Sequence, residues 1–183
     1  TIAFRNSLGF PVSENGRIDL RFRVSQDEIS DVQAGSSAIL FGEGAQGALT
    51  TGSVGYAFSY DTRREGLNPL GGVLLRFAQD FAVLGPDHTY VETTALAMAE
   101  RRVMNEEVTL RAVFEGGAIH SIDGDSRVTE RYFANGKIRG FESNGLGPRD
   151  LAAPNEDALG GNYYAVARLE AMVATTDGFR LAE

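Results

Sequence analysis

Side-chain character in this chain alternates with a period of two. Over residues 17–25, Ile18, Leu20, Phe22 and Val24 share one parity, while Arg17, Asp19, Arg21, Arg23 and Ser25 share the other. Successive side chains of a strand point to opposite faces, so such a segment has one apolar face backed by one charged face. The pattern recurs. Val54, Tyr56, Phe58 and Tyr60 oppose Gly55, Ala57, Ser59 and Asp61, and Val73, Leu75, Phe77 and Phe81 oppose Arg76, Ala78 and Asp80. Val108, Leu110, Ala112 and Phe114 oppose Thr109, Arg111 and Glu115. Tyr163, Ala165, Ala167, Leu169, Ala171 and Val173 oppose Asn162, Arg168 and Glu170. Residues 93–107 are rich in helix formers, with Val91, Ala95, Ala97 and Ala99 on one face and Leu96 and Met98 on the other. They read as a strand to about Arg102 and a turn at Asn105-Glu106, with a helix as the competing reading. The chain is all-β.

Two architectures use alternating strands. In a soluble sandwich the charged faces meet water, whereas in a membrane barrel they line a polar lumen and the apolar faces meet lipid. No apolar run approaches the roughly 18 residues of a membrane helix, but a barrel hides its apolar surface in alternate residues. The joints lean towards a barrel. Ser13-Glu14-Asn15-Gly16, Gly85-Pro86-Asp87 and Asn105-Glu106 read as tight turns; residues 26–36, 42–47, 64–71 and 135–161 are longer. Short turns at one end and long loops at the other belong to outer-membrane barrels.

Composition narrows the chemistry. With 25 acidic against 17 basic residues and a net charge of −8, the scattered bases offer no nucleic-acid surface. Absent Cys excludes a disulfide scaffold, thiolate zinc sites and a Cys nucleophile, and the two histidines, His88 and His120, lie far apart. Residues 42–47 match GxGxxG, yet a dinucleotide fingerprint needs a helix to follow; they read as a flexible hairpin loop. Asp123-Gly124-Asp125-Ser126 begins like a calcium loop, but its twelfth position is Ala134 rather than Glu, so it reads as a turn between strands. Glu106-Glu107 reads as a solvated pair in a turn, and Arg63-Arg64 and Arg101-Arg102 read as isolated pairs that make no nucleic-acid groove. No catalytic residue, metal or cofactor is expected.

Residues 127–170 resist so plain a reading. A loop of this length is usually functional or disordered, and Ile138 and Phe141 within it argue against disorder. Arg139, set between Ile138 and Gly140-Phe141, points to a loop that folds back with its guanidinium seeking a carboxylate. Ile138-Arg139-Gly140-Phe141 follows Tyr132-Phe133 and precedes Gly147-Pro148-Arg149-Asp150 and Leu159-Gly160-Gly161-Asn162. In this the sequence resembles the BamA family of the bacterial surface antigen superfamily. Tyr60-Asp61-Thr62-Arg63 with Asn68-Pro69 and Gly71, and Phe10-Pro11-Val12-Ser13-Glu14, resemble further stretches of the same barrel. The matches run from about residue 10 to 170.

The resemblance implies the barrel at the core of the outer-membrane protein assembly machinery of Gram-negative bacteria. An antiparallel transmembrane β-barrel is expected, of which residues 1–183 supply about seven or eight strands. The family's POTRA domains, first strands and closing strands are expected to lie outside this stretch. Implied partners are lipoprotein subunits of the machinery, unfolded outer-membrane protein clients and the lipid bilayer. By the same resemblance Arg139 is the arginine of an extracellular loop folded into the lumen, and Glu170 is its partner. Phe141 is expected against the barrel wall, and Gly140 where the backbone approaches closely. Parity agrees for Glu170, which shares the polar face with Asn162 and Arg168. Held away from bulk water, the pair would cost about 3–5 kcal/mol to break from one side. The same loop would also plug the lumen. The rival readings are a translocation barrel of the TamA or FhaC type and a soluble β-sandwich binding domain.

Overall fold

The computed structural model describes residues 1–63, 71–85, 89–104 and 107–173. Among these residues seven strands alternate up and down: β1 (Ile2–Pro11), β2 (Gly16–Asp27), β3 (Leu49–Asp61), β4 (Gly71–Leu84), β5 (Thr89–Val103), β6 (Val108–Asp123) and β7 (Tyr163–Val173). They form one sheet in chain order, each antiparallel to the next. All the alternating segments are strands, and residues 93–103 are strand rather than helix. A single sheet also removes the sandwich, which needs a second sheet to cover the apolar face.

The register carries the two faces across the whole sheet. One row runs Phe10, Ile18, Phe58, Phe77, Ala95, Gly116, Ala165; the adjacent row runs Gly9, Asp19, Ala57, Ala78, Thr94, Gly117, Tyr164. The first face is aromatic and branched over β1 to β4 and small over β5 to β7. Its large side chains are exposed, Leu20 at 51% and Leu169 at 87%. A water-soluble monomer rarely exposes a contiguous apolar patch larger than a few hundred Å². The buried apolar residues of the strands, Leu74, Ala78, Ala82, Val113, Ile119 and Val166, all lie on the opposite face. The molecule is inside out relative to a soluble domain, and its shortest strand, 10 residues, is long enough to span a bilayer.

At one end β1 and β2 are joined by a turn closed by Val12 and Ser13 amides donating to the Gly16 carbonyl at 2.9 and 3.2 Å. At the other end lie two long connections, residues 28–48 and 124–162. The expected turns at Gly85-Pro86-Asp87 and Asn105-Glu106, the Asn68-Pro69 motif, Arg64, Glu106 and His88 lie wholly or partly outside the described residues. His120 is exposed on the apolar face of β6.

Two loop expectations need correction. Residues 42–47 are not a flexible hairpin loop: α1 (Ala38–Ala45) occupies the first connection. The Ser37 hydroxyl accepts from the Ile39 amide at 3.2 Å, capping the helix, and Gly47, at φ +71°, ends it in the left-handed conformation. The helix precedes Gly47, so a dinucleotide fingerprint stays excluded. Asp123-Gly124-Asp125-Ser126 does not join two strands, because β6 ends at Asp123 and Gly124 opens the long connection.

Candidate functional site

The connection of residues 124–162 lies over the polar face. Its first anchor is a buried pair. Arg127 is 4% exposed and its Nε is 3.7 Å from Glu43 Oε2 of α1. The Val128 amide donates to Glu43 Oε1 at 3.0 Å, and Arg127 Nη2 donates to the Glu43 carbonyl at 3.3 Å. The two long loops are thus locked to each other by a carboxylate and a guanidinium, neither of which reaches water freely.

A second anchor lies beside it. The buried Ser37 donates its hydroxyl to Asp150 Oδ2 at 2.6 Å and its amide to Asp157 Oδ2 at 2.7 Å. The Ser37 hydroxyl, and after it the Ala152 amide, hold the Asp150 carboxyl below its ordinary value. Asp150 ends the Gly147-Pro148-Arg149-Asp150 motif, whose Pro148 and Asp150 pair with Leu159 and Asp157 through backbone bonds of 2.9 and 3.0 Å. The motif builds the clasp that Ser37 closes.

The third anchor reaches the strands. Tyr132 and Gly161 exchange backbone hydrogen bonds of 2.9 Å, and the Asn162 carbonyl accepts the Ile119 amide at 2.8 Å. The Tyr132 ring meets Tyr164 of β7 edge-on with centroids 4.7 Å apart, and its hydroxyl donates to Glu92 Oε1 of β5 at 2.9 Å. Burial, and then the Glu92 charge, push that hydroxyl's pKa up, so it stays a donor. Gly117 makes room for this contact. A Cβ there would meet the Tyr164 and Tyr132 rings at 2.5 and 2.7 Å.

Lys137 then fixes the segment that the resemblance singles out. Its Nζ lies 3.2 Å from Glu115 Oε2 and 4.4 Å above the Tyr164 ring, while Arg168 donates to its carbonyl at 2.9 Å and pairs with Glu115 at 3.1 Å. Two residues on, Arg139 Nη2 comes to 4.0 Å from Glu170 Oε1. Glu170 also lies 3.6 Å from Arg111, which pairs with Glu100 at 3.2 Å.

The expected residues therefore meet, with different surroundings. Arg139 is 93% exposed, not withdrawn from water. Phe141 is 56% exposed and Ile138 is 40% exposed, so Phe141 is not buried against the strands described. Gly140 is required by its φ of +87° rather than by close approach, since a Cβ there would meet nothing within 4 Å. Glu43, Arg127, Ser37 and Lys137, which carry the anchoring, went unnoticed in the sequence. Two left a signal: Lys137 as the cation flanking the motif, and Ser37 as a helix N-cap residue. Among the described residues no cluster of three or more His, Asp or Glu is placed to hold a metal ion.

Comparison with known proteins agrees with the geometry. An Omp85 superfamily domain matches residues 1–182. The chain is 27% identical over 168 residues to the outer membrane protein assembly factor BamA of Neorickettsia risticii (strain Illinois), covering 91% of this chain and 22% of that protein. The resemblance carried by residues 132–162 is borne out.

Proposed function

The chain belongs to the Omp85 superfamily, a family of outer-membrane β-barrels, and on that premise we propose that it is the loop-bearing wall of a barrel that folds and inserts other outer-membrane proteins. One observation carries the reading: Tyr132 and Lys137 hold the Ile138-Arg139-Gly140-Phe141 segment over the polar face, with Arg139 reaching Glu170. A relative 27% identical over 168 residues is named for outer-membrane protein assembly, which favours this function over that of a TamA- or FhaC-type translocation barrel.

The chemistry is non-covalent. The anchored loop keeps β5 to β7 in one shape, because its contacts reach Glu92 on β5, Glu115 on β6, and Tyr164, Arg168 and Glu170 on β7. A stiff wall lets a client strand pair with the barrel elsewhere without the barrel collapsing, and the apolar face meets the bilayer. Residues 1–183 form part of the barrel domain of the larger protein. Its partners are unfolded outer-membrane proteins, the bilayer, and lipoprotein subunits held through POTRA domains; nucleic acid is not among them.

The test is reconstitution of the full-length protein in lipid vesicles with an unfolded client barrel. Faster appearance of the client's heat-resistant folded form supports the proposal. Transport of a passenger with no gain in client folding would assign the translocation role instead.

A further inference from the structure

The outward face of the seven strands bears one charged side chain in its apolar belt. From the Thr93–Ala118–Tyr163 row down to the Val103–Val108–Val173 row, that residue is Arg101, opposite Gly71 on β4 and Leu110 on β6. Arg101 is exposed, and among the described residues its side chain makes no hydrogen bond or ion pair. It borders an open cleft of about 880 Å³ whose apolar walls are Val73, Ala99, Leu110, Ala112, Leu169 and Ala171. Small residues make the cleft: Ala99 and Ala112 sit side by side between Val73 and Leu169.

An unpaired cation facing lipid costs roughly 2–4 kcal/mol at mid-bilayer and close to nothing near the headgroups. Arg101 lies two residues from the end of β5, about 7 Å at the rise of a strand, and its stem can carry the guanidinium further towards that end. This is the end of the β1–β2 turn, opposite the long connections 28–48 and 124–162, and in outer-membrane barrels the end opposite the long loops faces the periplasm. The leaflet there is phospholipid.

We propose that Arg101 and the adjoining cleft form a binding site for a glycerophospholipid of the periplasmic leaflet, with the phosphate on the Arg101 guanidinium and an acyl chain along Ala99 and Ala112. The inference rests on the barrel reading but not on the assembly function. It is tested by photocrosslinking the full-length protein in phosphatidylethanolamine–phosphatidylglycerol vesicles with trace phospholipid bearing a photoreactive acyl chain. A diacylglycerol with the same label, lacking the phosphate, runs in parallel. Wild-type protein should label on the β5–β7 peptides about tenfold more with phospholipid than with diacylglycerol, the size of a charge-assisted hydrogen bond. Arg101→Gln should abolish that preference, Arg101→Lys should keep most of it, and Ala112→Phe should lower labelling by both probes. Heat-resistant gel migration confirms that each variant is folded. Equal labelling of wild type by both probes, an Arg101→Gln pattern like wild type, or no labelling because a protein covers the cleft would each overturn the proposal. Crosslinking does not read client folding, so its failure would leave the assembly function standing.

Discussion

Arg111 and Glu170 face each other across β6 and β7, with Nη1 3.6 Å from Oε2. Arg139 therefore approaches a carboxylate that already has a cation beside it, and approaches it from solvent. A pair of that kind contributes about 0.2–1 kcal/mol, well short of the 3–5 kcal/mol of a buried pair. The position of the loop does not depend on it. Arg139→Ala should leave the loop seated, with limited proteolysis of residues 124–162 in the folded barrel accelerated less than about fivefold.

Glu43 is where the loop is vulnerable. Glu43→Gln keeps the shape but leaves the Arg127 guanidinium buried without its carboxylate, at a cost of about 3–5 kcal/mol. Cleavage within residues 124–162 should rise more than 100-fold, while the heat-resistant barrel persists. Wild-type cleavage rates would show that Arg127 is not the lock.

Ser37→Ala removes both the helix cap and the Asp150 hydrogen bond, about 1–2 kcal/mol together. Loop cleavage should rise roughly tenfold. The same contact gives a pH dependence. The Asp150 pKa is lower with the loop seated than with it free, so this contribution is complete above about pH 4 and is lost as pH falls through the lowered value. Hydrogen exchange of α1 and residues 147–159 should be flat from pH 5 to 7, after correction for intrinsic rates, and rise as pH falls below the ordinary carboxylate value of about 4. In Ser37→Ala the rise should shrink.

The two faces of β3 predict opposite tolerances. Val54 points outwards and Ser53 inwards. Val54→Arg should destabilise folding into vesicles by about 2–4 kcal/mol, whereas Ser53→Glu, opposite Arg23 on β2, should cost under about 1 kcal/mol. Denaturant titration in lipid measures both, and equal costs would remove the assignment of faces.

The strands were legible because a period of two is a property of neighbouring residues, and Ile18 to Val24 or Val54 to Tyr60 state it without reference to anything distant. Glu170 was legible for the same reason, since its parity places it on the polar face. The helix Ala38–Ala45 was not, because it is short, contains Gly42 and Gly44 and shows no apolar stripe; its one local sign is Ser37. The Glu43–Arg127 pair was hidden by separation, with 84 positions between two charges in segments of no period. The exposure of Arg139 was equally beyond parity, which says which face a residue shares but not how much water reaches it.

The proposed assembly of outer-membrane proteins by this wall has Arg139 acting through Glu170. Its most direct test is the rate of client barrel folding by the reconstituted full-length protein carrying Arg139→Glu, Glu170→Arg, or both. Each single substitution sets like charges against each other and should slow client folding several-fold while the catalyst barrel stays folded, and the double substitution, which restores that attraction but leaves like charges facing at positions 111 and 170, should recover part of the rate. Wild-type rates in both single variants, or a double variant no faster than either, would contradict the account.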